Sequence, residues 1–245
     1  MGFEIVLALV SVLAGAIAAL AGFGIGSLLT PLLAVDLGTK LAVALVSVPH
    51  FVATASRLAS LWREVDWRVF FRFGVLSATG GLVGALLHST ANSPALTIAF
   101  GALLVFAGVS TLSGFASRMR FGRSTAWFAG ALSGLFGGLV GNQGGIRSAA
   151  LLGFEIRKEP FVATATAVGV VVDLARMPIY VATQAREMRE ALPLIVIATA
   201  GTLVGTFWGV RLLRRVPERA FRSGVGIIIA LLGLFMLLNA LSGRS

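Results

Sequence analysis

Two apolar runs in this chain have a length that fits no ordinary element. Residues 3–34 and 125–154 are each about thirty residues of almost uninterrupted apolar sequence, whereas one helical crossing of a bilayer needs about 20. Each run is too long for one crossing and too short for two. Each is also interrupted by glycines: Gly22-Phe23-Gly24-Ile25-Gly26 in the first, Gly141-Asn142-Gln143-Gly144-Gly145 in the second. Lipid satisfies no backbone polar group, so a helix can break at membrane depth only against other protein or a watery cavity. The two runs therefore predict broken helices held inside a larger bundle.

Six further apolar segments, near 41–62, 69–88, 95–116, 160–183, 191–210 and 223–242, complete that bundle. Charged residues make up 12% of the chain and mean hydropathy is +0.95, against about 25% charged in soluble domains. The apolar runs are continuous rather than alternating, which excludes a transmembrane β-barrel. The fold class expected is an all-α integral membrane protein, with no connection long enough for a soluble domain. The N-terminal stretch carries Glu4 and no Lys or Arg, and its apolar run continues past any cleavage site. It is expected to remain as membrane sequence rather than act as a signal peptide.

Sliding the chain on itself by 119 residues superimposes the two interruptions. Gly22 falls on Gly141, Gly26 on Gly145, Leu32-Leu33 on Leu151-Leu152, Asp36 on Glu155, Val43-Ala44 on Val162-Ala163, and Arg57 on Arg176. A shift of 121 then brings Leu82-Val83-Gly84 onto Leu203-Val204-Gly205. Matching Ala, Gly, Leu and Val is common between apolar stretches, but two rare membrane arginines meeting in the register set by the glycines is not. The chain divides into a first membrane repeat, 1–116, a basic linker, 117–124, and a second membrane repeat, 125–245.

Loop charges orient the halves. With each glycine-broken run as a single crossing, the loop and terminal Lys and Arg divide nine against eight. With each run as a re-entrant pair of short helices, thirteen of them fall on one side and only Lys40, Arg186, Arg189 and Arg244 on the other. That is a clear positive-inside bias. Each half then has one hairpin and three crossings, an odd number, so the halves are inverted relative to each other. This predicts a cytoplasmic linker and both termini outside.

The candidate site follows from the breaks. Inward-facing helix N-termini carry partial positive charge, and glycines let a ligand approach the backbone. Gly22, Gly24, Gly26, Gly144 and Gly145 would supply close approach, and Asn142 and Gln143 side-chain amides. Arg147 adds a full charge about one turn on. Arg57 and Arg176 lie inside apolar segments, where a charge costs at least about 2.5 kcal/mol and marks a pathway or a pair. Helical spacing puts His50, Thr54 and Arg57 on one stripe and Gly169, Asp173 and Arg176 on its counterpart. His50 and Asp173 are proton-coupling candidates. The bland alternatives are that Arg176 only pairs with Asp173, that Arg57 snorkels to the interface, and that His50 is a packed, hydrogen-bonded residue. Glycine pairs such as Gly80/Gly84, Gly137/Gly141 and Gly201/Gly205 read as helix packing. His88 reads as an ordinary residue at a helix end, and Trp62, Trp67, Trp127 and Trp208 as interfacial or packing aromatics.

Catalytic chemistry finds no support. No paired carboxylates, metal cluster, Ser/His/Asp set or phosphate-binding loop emerges, and the chain has no Cys. No cofactor or metal is expected. Net charge is +10, with eighteen of twenty basic residues Arg; its place in short loops points to topology and lipid headgroups rather than nucleic acid. The expected partners are a small anion and membrane lipids. Small-residue faces would permit a homodimer and serve internal packing equally well.

In its paired blocks, "AGFGIGSLLTPLL" and "GGLVGNQGGIRSAALL", the chain resembles the TauE/SafE sulfite exporter family of bacterial membrane permeases. The resemblance covers nearly the whole chain, with Gly141–Gly145 and Arg147 matching the polar stretch of the family's second half. It implies a bacterial inner-membrane secondary transporter of sulfite, organosulfonates such as sulfoacetate, or related small sulfur-containing anions. The rival functional classes are an anion channel and a non-transporting membrane scaffold. Forked arginine donors suit such oxyanions because they bind two oxygens at once.

Overall fold

The structure is a computed structural model that describes residues 2–21, 24–115, 123–142, 144, 146–147, 151, 157–209 and 217–242. Gly22, Gln143, Gly145 and linker residues 117–122, all singled out from sequence, lie outside the described residues. The described chain is helical throughout. It comprises α1 (Gly2–Ala21), α2 (Ile25–Leu61), α3 (Trp67–Val69, a π turn Phe70–Gly74, then Val75–Thr90) and α4 (Ser93–Ser113). After the linker come α5 (Arg123–Val140), α6 (Lys158–Glu190), α7 (Leu192–Val204, extended by a π turn Gly205–Gly209) and α8 (Glu218–Leu241). Among the described residues six helices are long and apolar enough to cross a membrane. Their outer faces carry exposed Leu, Val, Ile and Phe, the surface of an all-α, multi-pass membrane protein.

The expected break in 3–34 falls between α1 and α2, but its first limb is not short. α1 has 20 residues, about 30 Å at 1.5 Å per residue, because nothing in its Ala/Leu/Val sequence stops it before the glycines. α2 is interrupted at Gly38, which has φ 75° and ψ 154°, in the gap expected between the apolar segments 3–34 and 41–62. Only glycine takes such a conformation freely. The limb 39–61 that follows contains His50, Thr54 and Arg57. Lys40, at its start, donates to the Ser89 and Ala91 carbonyls at 2.7 and 3.0 Å, tying this corner to the end of α3.

Close helix packing fills the rest. Where α1 meets α7, Gly15 abuts the Thr202 carbonyl and Gly205 the Val12 carbonyl. Where α5 meets α3, Gly134 abuts the Ser77 carbonyl and Gly84 the Leu135 carbonyl. In the repeat registers Gly15 corresponds to Gly134 and Gly205 to Gly84, while the carbonyls they abut are displaced by one helical turn between the two interfaces. α4 and α8 pack antiparallel, Gly101 on Gly233 and Gly108 on Gly226. A shift of 125 sends Gly101 to Gly226 and Gly108 to Gly233.

Gly80 and Gly84 thus do what helix-packing glycines do, with no room for a Cβ between backbones. Gly84→Leu is expected to lower the melting temperature in detergent, at a cost of about 1–3 kcal/mol from forced helix separation. Protein that remains folded should bind anions as the parent does.

Candidate functional site

The two glycine breaks meet. Gly24, with φ 142°, precedes the first turn of α2, and Gly141, with φ 75°, follows the last turn of α5. A side chain at Gly26 would overlap the Gly141 carbonyl. One residue on from each glycine, Asn142 Nδ2 donates to Ser27 Oγ at 3.1 Å, both groups buried. Gly137 and Gly141 are therefore part of this junction and not a plain packing pair.

Beside the junction, the 39–61 limb of α2 lies antiparallel to α6, which brings the two sequence stripes face to face. His50 Nδ1 and Asp173 Oδ2 are 2.6 Å apart. The other carboxylate oxygen, Oδ1, accepts from Arg176 Nε at 2.9 Å and Nη2 at 2.8 Å. Asp173 and Arg176 are fully buried. Four residues earlier on α6, a Cβ at Gly169 would stand 2.8 Å from Arg147 Nη1 and 3.3 Å from Thr54 Cγ2. Glycine at 169 is what lets the Arg147 guanidinium lie there beside Thr54.

Helices that stop inside a bundle leave carbonyls that need donors. Arg176 Nη1 donates to the Gly137 carbonyl at 2.7 Å, and Arg57 Nη1 to the Ala18 carbonyl at 2.6 Å. Both donors and both acceptors are 119 residues apart: each half caps its own broken helix with its own arginine. The next two carbonyls of α5 are capped as well. Tyr180 donates its hydroxyl to Gly138, and His88 Nδ1 donates to Leu139 at 2.8 Å. His88 is fully buried, against Tyr180 and 3.4 Å from Gln184 Nε2. It is a structural cap rather than a loop residue, and its position at a helix end concealed this. Trp62, Trp67 and Trp208 are exposed on the surface.

Within this framework lies a narrow cleft with open space for about one water molecule. It is lined by Gly24 and Ile25 at the start of α2, His50, Ala53, Thr54 and Arg57 on its second limb, Arg147, Ala18 and Thr206. Two arginines, one imidazole and the N-terminal turn of a helix converge there, and among the described residues no carboxylate lines it. Arg57 Nε is buried with no hydrogen-bond partner.

Of the sequence-derived candidates, the cleft takes Gly24, Arg57, Arg147 and His50. Gly26 and Asn142 form the junction behind it, and Gly144 is buried. Asp173 stands behind His50, to which it is hydrogen-bonded, and Arg176 is held by Asp173 and Gly137 outside the lining. Thr206, in the π turn ending α7, and Ser27 were not foreseen; hydroxyls are too common in membrane helices to signal themselves. Tyr180 could have been found, since it is the one tyrosine in the chain and stands four residues after Arg176 on the same stripe. Among the described residues no cluster of His, Cys, Asp and Glu could hold a metal ion.

Among the described residues, the arrangement gathers two guanidinium groups and an imidazole around one small cleft. No curated protein and no solved structure matches the chain. A family model described as "Sulfite exporter TauE/SafE" matches residues 7–236. With a glycine-broken bundle and a cationic cleft on nearly that whole span, the chain belongs to the TauE/SafE sulfite exporter family, a family of membrane transporters.

Proposed function

We propose that the protein is a secondary exporter of small sulfur-containing oxyanions, with sulfite and organosulfonates such as sulfoacetate as the substrate class. One observation carries this reading: two arginines line the cleft at the meeting of two broken helices, with no carboxylate in the lining among the described residues. The anion would sit between Arg57 and Arg147 against the first free amides of α2, where charge-assisted donors and a helix N-terminus act together. Arg176, which sequence grouped with them, is assigned to capping α5.

Alternating access would come from two inverted-topology halves rocking about the junction. The correspondence of the helix pairs, α1 with α7 and α5 with α3, supports that symmetry. His50 lies between cleft and Asp173 and is the residue proposed to couple proton movement to transport. The proposed setting is a bacterial inner membrane, linker in the cytoplasm and both termini outside.

Two measurements test this. In proteoliposomes, sulfite flux is expected to saturate and to show counterflow; conductance at single-channel rates, or no flux of any small anion, would overturn the carrier. For topology, the cysteine-free chain suits single labels. Ser117→Cys is expected to react with an impermeant maleimide only from the cytoplasmic side, and labelling from outside alone reverses the assignment.

A further inference from the structure

We infer that Asp173 is a built-in substitute for the transported anion: its carboxylate holds on Arg176 the place that, in the first half, Thr54 leaves open beside Arg57. This rests on the transport reading, and it names the residue that decides which half carries the site.

The two arginines share a backbone contact, and Arg176 adds to it the Asp173 pair and the face of the Tyr180 ring. Both cap the carbonyl 39 residues before them, Ala18 and Gly137, through Nη1. Both sit three residues after the position that differs, Thr54 in one half and Asp173 in the other, and side chains so spaced share a helix face. In the second half Arg176 Nε donates to Asp173 Oδ1 at 2.9 Å. In the first half the same atom of Arg57, Nε, is buried without a partner. Thr54 has no charge to offer it.

The consequence is visible in the cleft. Arg57 and Thr54 line it, whereas Arg176 and Asp173, which neutralise each other, do not. A buried guanidinium edge with one donor unmet is costly unless an anion completes it. A carboxylate oxygen completes it from within the chain in one half; an oxygen of an oxyanion from solution completes it in the other. Placing a carboxylate at residue 54 should therefore close the site, and removing that at 173 should open one.

The test uses purified full-length protein in detergent and sulfite as the titrant. Thr54→Asp is expected to weaken sulfite binding by at least roughly tenfold with parent-like elution and melting, while Thr54→Asn stays near the parent. Sulfite binding by Thr54→Asp as tight as the parent's would overturn the inference. A second arm needs no sulfite: Asp173→Ala should melt earlier than the parent, and excess formate, but not chloride, should restore much of the loss. If the parent binds no small anion, or Thr54→Asp does not fold, the formate arm decides. Failure of formate to raise the melting temperature then sinks the inference, whereas rescue without sulfite binding sinks only the transport reading.

Discussion

Arg57→Gln is expected to weaken sulfite binding about ten- to a hundredfold or more while leaving a folded, monodisperse protein. Among the described residues Arg57 makes one hydrogen bond, to the Ala18 carbonyl, and it lines the cleft. Loss of one charge-assisted contact costs about 1.5–3 kcal/mol, which is the stated range in affinity. Glutamine removes the charge and the fork, whereas Arg57→Lys keeps the charge as a compact ammonium and should lose less. Isothermal titration of the three proteins checks the order. Parent-like affinity in Arg57→Gln would mean that the anion binds elsewhere.

Its mate in the other half should behave differently. Asp173→Asn is expected to destabilise the fold by about 3–5 kcal/mol, the usual cost of leaving one member of a buried ion pair without the other. Arg176 is 1% exposed and Asp173 0%, so neither water nor lipid headgroups can compensate. A fold with about 5–15 kcal/mol of total stability would lose a large share of it, seen as a lower melting temperature and a lower yield of monodisperse protein. Arg57→Gln should move the same readouts much less. Equal stability losses at Arg57 and Asp173 would contradict the division of labour between the halves.

The bundle was legible in the sequence because lipid imposes apolar length and leaves little else to read. The two interruptions were legible because glycines and amides are out of place in such runs. The 119-residue register was legible through Arg57 and Arg176, and it paired the stripes that the structure brings together at His50 and Asp173. What spacing could not supply was the set of carbonyls left open where α1 and α5 stop, since backbone acceptors carry no sequence signature. Arg57, Arg176, Tyr180 and His88 are explained by those acceptors. Hence Arg176 was grouped with the binding residues and His88 with loops. The interruption at Gly38 lies in the gap between segments 3–34 and 41–62, where Asp36, Thr39 and Lys40 mark the end of the apolar run.

The most direct test of the cleft is a crystal structure with selenite, the heavier analogue of sulfite, located by its anomalous scattering. The account predicts one selenium peak bounded by Gly24, Arg57 and Arg147, within hydrogen-bonding distance of both guanidinium groups. A peak at Arg176 instead, or an empty cleft at selenite concentrations that saturate binding in solution, would contradict it.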